Sequence, residues 1–218
     1  MRSNGLHSST AISQGTQKGG AFSLIELLAV IAVMSLLISL AVPVMSGLQS
    51  SGKMNDAVTR VSLMLDQARD YAMAHNSYVW VGFKEADDDG GVQVSAVAGT
   101  TGMSTDIGSA GTLRQISKVE LFDRIKYRNG SGDLSGMETA NNVSESKIGT
   151  FNQSKQGKTI QFNHIVQFSP SGEARVGVDQ PKRWIEVGFQ PSVGDATNGD
   201  VAALQISATS GQVRIFRP

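Results

Sequence analysis

The sequence predicts an α+β protein in which a long N-terminal helix precedes an antiparallel β domain. Three observations predict it: an apolar run from Phe22 to Met45, an apolar stripe at helical spacing from Met54 to Ala72, and a change to period two from Ser77 onward. Composition points the same way. Gly makes up 24 of 218 residues, and helix-favouring charged residues are few after position 76, a pattern of turn-rich β structure. Lys and Arg number 19 against 19 Asp and Glu, without the basic excess that nucleic-acid binders carry. The chain has no Cys, which excludes disulfides, thiolate catalysis and Cys-based metal sites.

Residues 1–20 are polar, rich in Ser, Gly and Thr, and free of acids. A secretory signal places its small-residue cut site after the apolar run, whereas Gly19, Gly20 and Ala21 come before it. A signal peptidase would have to cut in the Ser39–Ala41 region; an uncleaved anchor with a polar tail is a further layout. From Leu27 to Met45 only Ser35, Ser39 and Pro43 interrupt the apolar residues. A bilayer span needs about 20 such residues, so Phe22–Met45 is expected to be a transmembrane helix. Arg2 and Lys18 precede it and the next basic residue is Lys53, which puts the N-terminus on the cytoplasmic side and exports the rest.

Glu26 stands out in this run. An acid at mid-bilayer costs about 2.5–3.5 kcal/mol on insertion scales, but in the first turn of a helix the macrodipole favours an anion by up to ~1 kcal/mol. It reads either as a helix-start acid or as an acid kept to pair with an amine. Pro43 removes a backbone donor and clashes with the preceding turn, so a helix kink is expected there. Ser46–Gly52 forms helix weakly and reads as loosened helix or as an exit loop.

Helical spacing resumes with Met54, Val58, Val61, Leu65, Ala68 and Ala72, widened by Ala57, Met64 and Tyr71 and backed by the polar side of Asp56, Arg60, Gln67 and Asp70. This amphipathic helix should end near His75-Asn76 and pack one face on the β domain. Strands are expected at Tyr78–Phe83, Val92–Val97, within Leu113–Tyr127 around Val119–Phe122, at Thr159–Asn163, Ile165–Phe168, Glu173–Val178 and Trp184–Phe189. Val201–Ala208 and Gln212–Phe216 read as a closing hairpin around Thr209-Ser210-Gly211. Gly99–Gly111 reads as a loop, and Gly130–Thr150 as a long, exposed polar excursion.

The run Lys18-Gly-Gly-Ala-Phe-Ser-Leu-Ile-Glu-Leu-Leu-Ala-Val-Ile-Ala-Val-Met34 resembles the cleavage and methylation motif of type IV prepilins and type II secretion pseudopilins. The resemblance implies that a prepilin peptidase cuts between Ala21 and Phe22 and methylates the new amine of Phe22, with Glu26 fifth in the mature chain. A cut after Gly20 would make Glu26 sixth; the first register sets residues i and i+4 of a helix facing one another. Ala21 stands where the family usually has Gly. The family's acid is thought to neutralise the amine of a neighbouring subunit, and an ion pair in low dielectric attracts strongly. Leu65–Asn76, Val79-Trp-Val, Ile165–Gly172 and Leu204–Ile215 are similar to H-type minor pseudopilins. The implied organisation is a leader at 1–21, a transmembrane and assembly helix at 22–45, an amphipathic continuation at 46–76 and an exported, β-sandwich-like domain at 77–218. The whole is a pilin-like fold in a single-pass protein of the inner membrane, which other pilin or pseudopilin subunits join into a filament. Pro43 lies where family members often carry a kinking proline.

No catalytic set emerges, so an enzyme is not expected, nor a cofactor. His75 and His164 are isolated, His7 lies in the leader, and neither a nucleophile elbow nor a phosphate loop is present. Asp87–Asp89, and Asp195 with Asn198 and Asp200, offer oxygen ligands but match no defined calcium loop, and read as solvated turns; no metal is expected. Arg175, Lys182, Arg183, Arg214 and Arg217 could gather into a basic patch of the kind DNA-uptake minor pilins use. Removing a leader that ends at Ala21 takes Arg2 and Lys18 from the 19 basic residues and none from the 19 acidic ones, which leaves the mature chain at −2. That balance argues against nucleic acid. The expected function is a structural minor pilin or pseudopilin; the alternatives are a DNA-binding minor pilin and a membrane-anchored exported binding domain.

Overall fold

A computed structural model describes residues 23–86, 90–109, 111–128, 134–143, 146–177, 182–192 and 201–217, with the backbone alone at 40–51. The chain divides into two compact units, Met1–Val44 and Met45–Pro218. Helix α1, Leu24–Ala74, begins in the first and ends in the second. It starts after Ser23, whose carbonyl accepts from the N–H groups of Glu26 and Leu27 at 3.0 and 3.1 Å. At its other end Asn76 takes a left-handed φ of 47°, and the Ser77 N–H donates to the Ala72 carbonyl at 3.1 Å. This is a Schellman stop, in which Asn substitutes for the usual glycine.

The expected fold class is corrected here. Among the described residues no helix is long and apolar enough to cross a membrane, so the transmembrane helix on which the pilin-like class rested is not shown. What the structure shows is a β-rich fold, with α1 and one 3-10 turn, Asp106–Gly108, as the helical elements among the described residues.

Among the described residues thirteen strands follow α1: β1 Val79–Glu85, β2 Gly91–Gly99, β3 Leu113–Gln115, β4 Glu120–Asp123, β5 Ile125–Arg128, β6 Ala140–Asn142, β7 Phe151–Lys155, β8 Lys158–Phe162, β9 His164–Phe168, β10 Ala174–Arg175, β11 Trp184–Pro191, β12 Ala202–Ser207 and β13 Val213–Phe216. One sheet has the order β10-β9-β1-β2-β3, with β4 also on β2; a second has the order β13-β12-β11-β5, with β6 also on β11; β7 and β8 form a separate pair. All neighbours are antiparallel except β6 and β11.

The main core joins both large sheets to α1. The stripe Met54, Ala57, Val58, Val61, Met64, Leu65, Ala68 and Ala72 is buried against Val79, Val81 and Phe83 of β1, Val166 and Phe168 of β9, and Val187, Leu204 and Ile206 of the second sheet. Arg60 anchors this helical face from its edge, 2.7 Å from Glu120 and with its guanidinium 5.4 Å from the Phe122 ring centroid. β1 is covered on both faces, because its alternate residue Trp80 enters a second cluster with Ile107, Phe151, Ile160, Phe162 and Ile165. That double covering explains why Tyr78–Phe83 reads as nearly continuous apolar sequence.

Two sequence expectations change. Phe151–Lys155 is a strand, paired with β8 through a tight turn at Gln156 (φ 50°) and Gly157 (φ 79°); two successive positive φ values are the signature of a type I′ hairpin. The excursion at 130–150 is not simply exposed. Its Leu134 is buried with Val201 and Ala203, and Val143 lies in the main core. Buried Gln205 holds it: its Nε2 donates to the Glu138 carbonyl at 2.7 Å, and its Oε1 accepts from the Glu138 N–H at 3.4 Å. A side-chain amide thus stands in for one rung of a β ladder, and satisfies a polar group that would be costly to bury alone.

Candidate functional site

The first unit carries the strongest functional signal. Large apolar residues of α1 from Leu24 to Ile38, among them Leu27, Val30, Ile31, Met34 and Leu37, are 48–79 % exposed. Successive residues of a helix lie 100° apart, so these positions cover its whole circumference rather than one stripe. Exposing a Leu, Ile or Val side chain that could be buried forgoes about 1.5–3 kcal/mol. A patch of this extent marks a surface that another molecule covers.

The two serines on this helix make no demand on a partner. The Ser35 hydroxyl donates to the Ile31 carbonyl and the Ser39 hydroxyl to the Leu36 carbonyl, both at 2.7 Å. Each donor is satisfied inside its own helix, as Ser commonly is in helical backbones. Glu26 is exposed in the first turn of α1. There the unpaired N–H groups and the dipole favour its negative charge, and a cation brought from outside the helix can reach it.

Ala21 and Phe22, the expected cleavage and methylation positions, lie outside the described residues, as do Asp87–Asp89 and the Asp195, Asn198 and Asp200 group. Pro43 falls within the bounds of α1, and its side chain is likewise outside the described residues. Among the described residues no group of three His, Asp or Glu side chains could hold a metal ion. His75 stacks on Tyr71 with ring centroids 3.9 Å apart, and His164 meets Tyr127 edge-on at 5.4 Å, so both rings pack against aromatics.

The basic residues singled out in the sequence have local partners, and two of them share one ring. Arg175 pairs with Glu173 at 3.2 Å, Lys182 Nζ donates to the Ala140 carbonyl at 3.1 Å, and Arg183 lies 3.9 Å from Glu138. Arg183 and Arg214 also flank the Trp184 ring, at 5.7 and 4.6 Å from its centroid.

Comparison with protein-family models, with curated proteins and with solved structures finds no match.

Proposed function

We propose that the chain is a structural subunit of a type IV pilus-like or type II secretion pseudopilus filament. A prepilin peptidase processes it between Ala21 and Phe22, and it assembles through the helix that begins at Leu24. The observation that carries this reading is the helix surface from Leu24 to Ile38, apolar on all sides and interrupted only by Ala, Glu26 and the self-satisfied Ser35. The like helices of neighbouring subunits offer it a matching cover. The motif around Phe22 supplies the second support: cutting there creates an amine one helical turn from Glu26, and burial between subunits would drive the two charges to pair. The β-rich unit then stands outside the cytoplasm, on the filament surface.

N-terminal sequencing and intact mass of the mature protein test this directly. The expected chain begins at Phe22 and is one methyl group heavier than its sequence. A mature protein that still begins at Met1 would overturn the proposal.

A further inference from the structure

A cleft of about 650 Å³ opens on the outer face of the first sheet, between the β9–β10 turn and the loop that holds the 3-10 turn. Its lining mixes apolar and polar groups, among them Tyr78, Ile107, Gln167, Ser169, Glu173 and Arg175. A volume of this size suits a small ligand or the end of a chain.

Two features show that it is more than a surface dent. Gln167 is 8 % exposed, yet its Nε2 has no hydrogen-bond partner among the described residues. Trp80, directly across from Gln167 on β1, is fully buried, and its indole Nε1 is likewise without a partner among them. Arg175 faces Gln167 from the other side, on β10. The register therefore sets Arg175, Gln167 and Trp80 in one row across three strands, with Arg175 and Gln167 lining the cleft and Trp80 buried next to Gln167. Buried N–H donors left unpaired are rare, and each calls for an acceptor. The acceptors near the row are already engaged: the Ser169 hydroxyl bonds that of Ser171 at 2.8 Å and accepts from the Glu173 N–H at 3.2 Å, and the Glu173 carboxylate holds Arg175. Arg175 still has donors to give, because a guanidinium carries five N–H groups and its pair with Glu173 is exposed.

We propose that this cleft binds a carboxylate. A carboxylate only accepts hydrogen bonds, carries about four lone-pair sites, and is the natural partner of a guanidinium beside neutral N–H donors. A peptide C-terminus and a small organic acid share that chemistry. Tyr78, Ile107 and Pro170 give apolar walls for whatever the carboxylate is attached to.

The test uses the full chain in a non-ionic detergent, with the Trp80 indole N–H followed by NMR. Trp80 and Trp184 are the chain's 2 tryptophans, so a Trp184→Phe variant assigns the signal. The probes are acetate, trialanine with a free C-terminus, and N-acetyl-trialanine amide. Acetate and the free peptide should shift the Trp80 signal saturably, and the amide should bind at least about ten-fold more weakly, as loss of a charged hydrogen-bond partner implies. Gln167→Leu should weaken carboxylate binding about ten-fold. Should that variant not fold, Arg175→Gln, on the exposed rim, carries the same expectation. Trialanine binding ten-fold tighter than acetate identifies a peptide C-terminus as the ligand; equal affinity identifies a small acid. A Trp80 signal unmoved by every probe up to about 50 mM, well beyond millimolar affinity, would mean that ordered water satisfies the donors and would overturn the proposal. So would an amide that binds as well as the acid, or variants that bind as the parent does.

Discussion

Arg69 Nε donates to the Ser210 carbonyl at 2.6 Å, tying the last third of α1 to the turn between β12 and β13. The same side chain lies beneath Gly211 and Gly172, where an added Cβ would fall 2.8 Å from Arg69 Cδ and 3.5 Å from its Nε, respectively. Both glycines have positive φ, 66° and 84°, so each is held by its turn as well as by the space.

Arg69→Ala should therefore cost more than an ordinary surface change. The side chain is 25 % exposed, and loss of a charged donor to a part-buried carbonyl is worth about 1.5–3 kcal/mol. Thermal unfolding should show the loss, while Asp70→Ala, whose contact with Arg69 is 3.5 Å and exposed, should change stability by less than about 1 kcal/mol. Equal effects of the two variants would mean that the turn contact contributes nothing.

Gly82 is the point on β1 where the β7–β8 hairpin rests. A Cβ there would sit 2.5 Å from Phe151 Cζ and 2.6 Å from Phe162 Cβ. Gly82→Ala is expected to destabilise by about 1–3 kcal/mol through overpacking and to speed amide exchange across β7 and β8. In a Phe151→Ala background, where the ring is gone, the same change should cost less, with the contact at Phe162 Cβ still to be relieved. Strict additivity of the two substitutions would refute the contact.

Asp106 sets an acid limit on the loop after β2. The Thr101 hydroxyl donates to its carboxylate, and the backbone N–H groups of Thr101, Met103 and Gly102 add to this against the opposing pull of desolvation, so its pKa is held below the ordinary 3.8. A carboxylate depressed in the folded state contributes stability above its unfolded value, and that contribution is lost as pH falls through the folded value. Stability of Asp106→Asn should therefore fall less steeply below about pH 4 than that of the parent, and it should be lower than the parent's at neutral pH. Parallel melting-temperature curves for the two proteins between pH 2 and 5 would contradict this assignment.

Glu26→Ala tests the assembly proposal separately from processing. Glu26 is exposed and its backbone N–H already bonds the Ser23 carbonyl, so its removal should leave α1 and the β-rich unit folded. Cleavage before Phe22 should proceed, while incorporation into filaments drops sharply, because the new amine is left without its partner on burial. Filaments that take up the variant at the parent level would count against the charge pairing.

Much of the second unit was legible because burial there follows period. The stripe from Met54 to Ala72 matches the helix repeat, and Val79, Val81 and Phe83 match the strand repeat; in each case the residues so spaced are those buried. What escaped was structure held by groups without a pattern. β7 alternates Phe151 and Gln153 inward with polar residues between, too short a run to stand out, although Gln156-Gly157 before Ile160 and Phe162 was a hairpin signal. β6 is three residues long and its loop is pinned by Gln205, a contact 67 residues apart in sequence. The apolar run from Phe22 to Met45 predicts a span, whereas among the described residues no helix is long and apolar enough to cross a membrane. Of the proposed assembly site, Glu26 was legible from its place in the motif; the donor row of Trp80, Gln167 and Arg175 was not, since it exists only through the register of three strands.

That register also dictates when the protein can fold. β1 lies between β2, which follows it at once, and β9, which is made only after the intervening strands and loops. The edge at β10 is closed later still, by the Ala174 N–H donating to the Ala208 carbonyl beyond β12 at 2.9 Å. Such non-local pairing slows folding, because loop-closure entropy must be met before the contacts form. A chain that emerges from its N-terminus thus stays without its central strand's second neighbour until most of its length has been released.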